Sequence, residues 1–368
     1  MSYKKEKFFG DQTQALGIKQ ALEVILAESK IAVVTTGPDV VSLKQSILSA
    51  EALPVIVVGA GSNGLADLQA LKTDPDIMDK VFAVWSGHMV FPGLTEAVDQ
   101  LDVIALPTHV LSEGMVASLR DGSAYLVQTV GVAHDLTPAK LEAERSIWEA
   151  KNTPLPVAEK YIGVFLGGDA PDMDGVTQKF FTPEEAAILA EYVADRALET
   201  GATVLLTNGA RTGKFNPATG ERRKNIHRDG TVDPTTQTFL DKLKERDVAV
   251  YFYDFQFNRL PSAYTSILDV LRSVPGSVTF VTGESTSMVS EIGDILPRGA
   301  MVIAEIGSMN DAHKAHVNSC YRAGIASGIK AEDGKVAVVE VEIQKGESLS
   351  AAQVIARHAA EKFQQRVG

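Results

Sequence analysis

Short runs that are apolar at nearly every position recur along the chain, separated by longer stretches whose apolar residues repeat at helical spacing. In the first half the runs are Ile31–Thr35, Pro54–Val58, Lys80–Val84, Asp102–Ala105 and Tyr125–Val127. In the second half they are Tyr161–Leu166, Thr203–Thr207, Val248–Tyr253, Ser277–Val281 and Ala300–Ile303. Strands without polar alternation are covered on both faces, and strands that alternate with helices pair in parallel. The pattern predicts an α/β fold of two doubly wound, Rossmann-like domains. Thr137-Pro138 and Thr182-Pro183-Glu184-Glu185 each read as a helix start, a cap residue followed by a first-turn proline, with acids added in the second case. Lys151–Pro156 reads as a linker. The expected division is an amino-terminal domain over 1–150, the linker 151–156, a carboxyl-terminal domain over 157–348 and a terminal helix over 349–368 placed to pack back on the first domain.

A length of 368 residues fits two domains at roughly 150 residues each. The chain carries 47 acidic and 35 basic residues, so it lacks the broad positive field that phosphate-backbone binding needs, and nucleic acid is not an expected partner. Its single cysteine, Cys320, forms no internal disulfide, which suits a reducing cytoplasmic location. The charged start Met1–Gly10 has no apolar stretch of signal-peptide length after it. The longest uncharged segment, Val81–Thr95, is broken by Gly87, His88, Pro92 and Gly93 and is too short for a bilayer of about 30 Å. No transmembrane segment is expected, and peripheral membrane contact stays open.

Ligands of such α/β domains bind where strands end. Gly59-Ala-Gly61-Ser-Asn-Gly64 matches the dinucleotide pattern G-x-G-x-x-G. It follows the second strand rather than the first, and the next strand ends without a carboxylate for a ribose, so a tight turn for close helix–strand packing, or a cleft lining for another ligand, is a better reading than NAD. Phe280–Glu291 carries a stronger signal: a strand ending in Gly283, then Ser285, Thr286, Ser287 and Met288 opening a helix whose amides would hold a diphosphate. Glu291, one turn further in, has the acceptor oxygens a ribose diol needs. Gly167-Gly168-Asp169 lets backbone amides approach a phosphate, and Asn208 to Lys214 adds Arg211 and Thr212 as donors. The loop Lys214–Gly230 brings further cations, which either close over a diphosphate, meet an anionic acceptor or form a solvated surface. His313 and His316 share helical spacing but lack a third ligand, so no metal site is expected.

The segments Gly10-x-x-x-Gln14-x-x-Gly17, Gly131-Val-Ala-His134-Asp-Leu-Thr-Pro138, Leu166-Gly-Gly168, Thr207-Asn-Gly-Ala-Arg211-Thr212 and Thr282-Gly-Glu-Ser285-x-Ser-Met-Val-Ser-Glu291 resemble the mitochondrial fission "elongated mitochondria" family. The family's fold is similar to GT-B glycosyltransferases, in which two domains face each other across a cleft. The resemblance implies a nucleotide diphosphate sugar as donor substrate in the carboxyl-terminal domain, with Glu291 near the ribose and Ser285 to Met288 near the diphosphate. No tightly bound cofactor or metal is implied. The acceptor is unassigned, with a lipid-linked one among the options. Gly10, Gln14, His88 and His109 fall on the acceptor side. Asp11 stands where the family usually has histidine and is the first candidate base, with His134 second; as a plain structural residue Asp11 would cap a helix starting near Thr13. Alongside glycosyl transfer, a nucleotide-sugar epimerase on the same scaffold and a non-enzymatic fission adaptor are the competing readings.

Overall fold

The computed structural model describes residues 9–29, 31–37, 40–49, 54–257, 262–343 and 350–367. The chain divides into two compact units, Met1–Asp135 together with Ser348–Gly368, and Leu136–Glu347.

The first unit contains α1 (Phe9–Ile25), β1 (Val33–Thr35), α2 (Val40–Ser49), β2 (Val55–Ala60), α3 (Gly61–Thr73), β3 (Val81–Ser86), α4 (Leu94–Ala97), β4 (Val103–Pro107), α5 (Glu113–Arg120), β5 (Tyr125–Thr129) and the terminal helix Ala351–Val367. Its five described strands are all parallel and stand in sequence order, β1-β2-β3-β4-β5. This order differs from the doubly wound expectation, in which it reverses part-way. Right-handed crossovers that always step the same way leave every connecting helix on one face. Val55, Val57, Val81, Ala83 and Ile104 accordingly pack with Leu43, Leu68, Leu94 and Leu119 of α2 to α5. The alternate residues Ile56, Val58, Phe82, Val84 and Val103 pack with Ile18 and Leu22 of α1 and with Ile355 and Phe363 of the terminal helix. The second face is therefore covered by the two ends of the chain.

The second unit contains α6 (Pro138–Glu149), β6 (Tyr161–Phe165), the short strands β7 (Ala170–Pro171) and β8 (Gln178–Lys179), α7 (Pro183–Thr200), β9 (Thr203–Thr207), α8 (Pro234–Glu245), β10 (Val250–Tyr253), α9 (Tyr264–Ser273), β11 (Val278–Thr282), α10 (Thr286–Ile295), β12 (Met301–Glu305), α11 (Asp311–Arg322), β13 (Ala326–Glu332) and β14 (Lys335–Val339). The main sheet runs β10-β9-β6-β11-β12-β13-β14, parallel except for the final hairpin. The chain moves outward from β6 to β10, then returns to the other side of β6 at β11, so the order reverses between β6 and β11. The predicted cap of α7 is present: the Thr182 hydroxyl accepts from the Glu185 amide at 3.2 Å and the Glu185 carboxylate accepts from the Thr182 amide at 3.0 Å. The helix starting at Thr137, expected to close the first domain, packs within the second unit as α6. Its Arg145 pairs with buried Asp269 of α9 at 3.5 Å and its Glu142 with Arg272 at 2.6 Å. The β13–β14 hairpin falls outside the expected strands because most of its residues are partly buried or exposed and charge stands among its apolar positions. Among the described residues, no helix is long and apolar enough to cross a membrane.

Candidate active site

In an open parallel sheet the crevice for a ligand lies outside the strand ends where the order reverses. In the second unit that point is the pair of turns Leu166–Asp169 after β6 and Gly283–Ser285 after β11. Their geometry is set by one carboxylate. Glu284 is buried at 1 % exposure, its Oε1 accepts from the Gly168 amide at 2.6 Å, and the Arg211 guanidinium lies 3.7 Å away. Arg211 also donates to the Glu284 carbonyl at 3.4 Å. The neighbouring amide of Gly167 donates to the Thr282 hydroxyl at 2.7 Å. The two glycines thus serve close packing, and the chain's own oxygens occupy amides expected to face a phosphate. In the sequence Glu284 is marked only as a lone acid directly after an apolar strand and its closing glycine.

Several predicted contacts prove to hold the strand ends in place. Asp169, 2 % exposed, accepts from the amides of Phe181 at 3.1 Å and Phe215 at 2.8 Å. Burial pushes its carboxyl above the ordinary range, against the pull of those amides. Asn208 donates to Asp233 at 3.2 Å, Thr236 at 3.3 Å and Asp254 at 2.9 Å while accepting from the Phe255 amide at 2.7 Å. The Thr212 hydroxyl bonds the carbonyls of Leu166 and Gly167 and receives the Gly209 amide. These three residues tie the turns at the strand ends to one another. Arg211 keeps 37 % of its side chain exposed.

Ser285 stands at the cap position of α10, yet its hydroxyl makes no cap hydrogen bond. Thr286 and Met288 are half-buried and Ser287 is exposed in the first turn. Glu291 is held by the Tyr264 hydroxyl, which donates to its Oε2 at 2.7 Å. The two histidines of α11 have separate partners: His313 Nδ1 accepts from the Asn310 amide at 3.2 Å, and His316 Nε2 lies 3.7 Å from Cys320 Sγ. Burial, with Arg211 and Lys179 nearby, pushes His313 down to about 4, so its ring is neutral at physiological pH.

Glu284 gives the unit a pH signature. Burial raises its pKa above the ordinary glutamate value, outweighing the pull of Arg211. A carboxyl whose folded pKa is raised stabilises the fold below its unfolded pKa, and that contribution is lost as pH rises through the folded one. Glu284→Gln keeps the oxygen facing Gly168 and removes the buried charge. Its thermal midpoint is expected to gain on wild type as pH rises above the ordinary glutamate range; parallel profiles would show that Glu284 is not the group responsible.

In the first unit the structure gathers part of the predicted acceptor side. Asp11 lies in the first turn of α1, which begins at Phe9, so it does not cap a helix at Thr13. Its carboxylate sits against Gly61, where any Cβ would overlap it, and 3.7 Å from His88 Nδ1. The N-terminus of α3 in the G-x-G-x-x-G segment is thus faced by the chain's own carboxylate, as suits a packing role. Burial raises the Asp11 carboxyl above its ordinary range, with His88 opposing. Gln14 is buried and accepts from Ser86 at 3.4 Å. Gly10 is exposed and its carbonyl accepts from Thr13 at 2.9 Å. His109 is half-buried in the turn after β4. His134 is buried behind α1, where Gly17 runs so close that a Cβ would overlap the His134 carbonyl. The two amino-terminal motif segments, around Gly17 and His134, are therefore one packing contact.

The sequence profile described as mitochondrial fission ELM1 matches residues 10–228, from the Asp11 turn through the cationic loop after β9. The chain belongs to the mitochondrial fission ELM1 family. No curated protein matches it. Among solved structures, a Cab2 variant in complex with phosphopantothenate-cysteine is 9 % identical over 63 % of this chain and 94 % of its own, with a TM-score of 0.24. Phosphoglycerate dehydrogenase from Lactobacillus plantarum is 10 % identical over 92 % of this chain and 96 % of its own, with a TM-score of 0.18. Neither superposition is close enough to carry an argument. For this ELM1-family chain the profile ends at 228, so Ser285 and Glu291 lie beyond the matched span.

Proposed function

We propose that this ELM1-family protein is a GT-B-like glycosyltransferase whose second unit binds a nucleotide diphosphate sugar in the β6–β11 crevice. The observation that carries the reading is Arg211: a half-exposed guanidinium at the reversal point, anchored from behind by buried Glu284 and presenting its outer donors to an anion. Ser285, Thr286 and Ser287 at the start of α10 add amides and hydroxyls for the diphosphate, and Glu291, fixed by Tyr264, takes the ribose. An acceptor hydroxyl oxygen attacks the anomeric carbon, the bond from that carbon to the diphosphate oxygen breaks, and the nucleoside diphosphate leaves. Arg211 and the helix amides stabilise the charge that develops on it. The acceptor proton passes to a general base, for which Asp11 is the first candidate residue. The acceptor itself is unassigned.

Thermal unfolding against nucleoside diphosphates, nucleotide sugars and NAD tests the reading. A ligand at about 100 times its Kd stabilises by about 2.7 kcal/mol, a readable shift. Stabilisation by one nucleoside diphosphate and its sugar, lost in Arg211→Ala, is the expected result. Stabilisation by NAD alone would transfer the site to Gly59–Gly64, and no response to any ligand would favour the adaptor reading.

A further inference from the structure

The loop between β9 and α8 concentrates positive charge in an acidic chain. Arg211, Lys214, Arg222, Arg223, Lys224 and Arg228 line a pocket of ≈ 520 Å³, and none of its other lining residues is acidic. The chain as a whole has 47 acidic and 35 basic residues. Of the loop's acids, Glu221 and Asp229 are exposed and Asp233 is buried against Asn208 and Thr236, and none of them is in the lining. Among the described residues, only Arg211 of the six has a carboxylate within ion-pair distance, Glu284 at 3.7 Å.

The backbone holds these cations together. The Asn216 amide donates to the Glu221 carbonyl at 2.8 Å, the Arg223 amide to the Lys214 carbonyl at 2.9 Å, and Phe215 pairs with Arg222 as an antiparallel bridge. The Arg223 guanidinium donates to the Gly213 carbonyl at 2.8 Å and to that of Phe215. His227, fully buried, bonds the Thr212 carbonyl through Nε2 at 2.8 Å and accepts the Phe257 amide on its own carbonyl at 3.0 Å. Asn225 and His227 both sit at φ 59°, left-handed conformations that persist only where their surroundings enforce them. Arg228 stacks on the Phe257 ring at 4.7 Å. Burial and the neighbouring Arg222 and Arg211 push the Lys214 ammonium below its ordinary value, so the cluster is held against its own repulsion.

Ala210 and Arg211 follow β9 and Phe257 follows β10, which places the pocket on the far side of β9 from the β6–β11 crevice, with Arg211 shared. Glu284 already faces Arg211, and a phosphate group carries about −1.5 to −2 charges, so one phosphate leaves most of the other five cations unmatched. We propose that this pocket is a second anion site, which takes a ligand bearing two or more clustered phosphates. The proposal goes beyond the donor reading, since Arg222, Lys224 and Arg228 have no part in the crevice.

The test is calorimetric titration of the full chain with inorganic tripolyphosphate, on wild type and on the triple variant Arg222→Ala, Lys224→Ala, Arg228→Ala. All three side chains are exposed, so the thermal midpoint is expected to hold. Wild type is expected to bind with an affinity that falls as salt rises, and the triple variant to bind at least about ten-fold more weakly. Absence of tripolyphosphate binding in wild type, or equal binding by the variant, overturns the proposal, whatever the crevice does with nucleotides. A second arm identifies the source of the phosphates. Wild type that sediments with phosphatidylcholine vesicles containing a polyprenyl diphosphate, but not with vesicles containing phosphatidylserine, supports the site with a lipid-borne ligand. Tripolyphosphate binding without sedimentation supports it with a soluble one. Sedimentation that the triple variant retains counts against it.

Discussion

Phe363→Ala is expected to destabilise the first unit by about 3–5 kcal/mol, the cost of emptying a fully buried aromatic site. Phe363 is 0 % exposed and meets Phe82 of β3 edge-on at 5.3 Å. The size of the effect follows from topology. The strands of the first unit step in one direction, so one face of the sheet depends on α1 and the terminal helix. The chain's two tryptophans lie one in each unit, Trp85 on β3 and Trp148 on α6. Denaturant unfolding in a Trp148→Phe background, followed by Trp85 fluorescence, reads the first unit alone. A loss below about 1 kcal/mol would mean that the terminal helix is not part of that core.

Gly168→Ala is expected to be the other severe change, and it joins stability to the site. A Cβ at Gly168 would overlap the carbonyl of Arg211 and the amide of Thr212, both backbone, so the turn that presents Arg211 must move. Overpacking of this kind costs about 1–3 kcal/mol. The displaced guanidinium should also weaken nucleoside diphosphate binding. Gly209→Ala is the matched control, in the turn after β9 that holds Arg211, because its nearest contact, the Leu166 carbonyl at 3.4 Å, is ordinary. The pair is measured by urea unfolding and by ligand response, and equal behaviour of the two variants would refute the close-packing account.

Much of the fold was legible because buried parallel strands are apolar without interruption. Ten expected strands coincide, within a residue or two at each end, with β1 to β6 and β9 to β12. Strand order was not, because Val55–Ala60 reads the same whether its neighbours step one way or both. The missed hairpin β13–β14 carries Lys330, Glu332 and Lys335 around its turn, and its antiparallel pairing at the edge of the sheet breaks the strand–helix alternation that marks the others. At the strand ends, composition marked the right turns but not which atoms are free. Asp169, Asn208 and Thr212 look like ligand donors in sequence, and only their partners, Phe181, Phe215, Asp233 and Leu166, reveal them as ties between turns. Glu284 shows the converse: a residue passed over in a serine-rich segment proves to be the charge behind Arg211. Gly17 and His134, some hundred residues apart, became one contact only when α1 was laid against the segment after β5.

The most direct measurement is calorimetric titration of wild type and Arg211→Ala with a panel of nucleoside diphosphates. The account predicts that one base series binds wild type at the second unit and that Arg211→Ala loses at least about ten-fold in affinity while still unfolding cooperatively. Binding that Arg211→Ala leaves intact, or no binding by wild type at all, would contradict it.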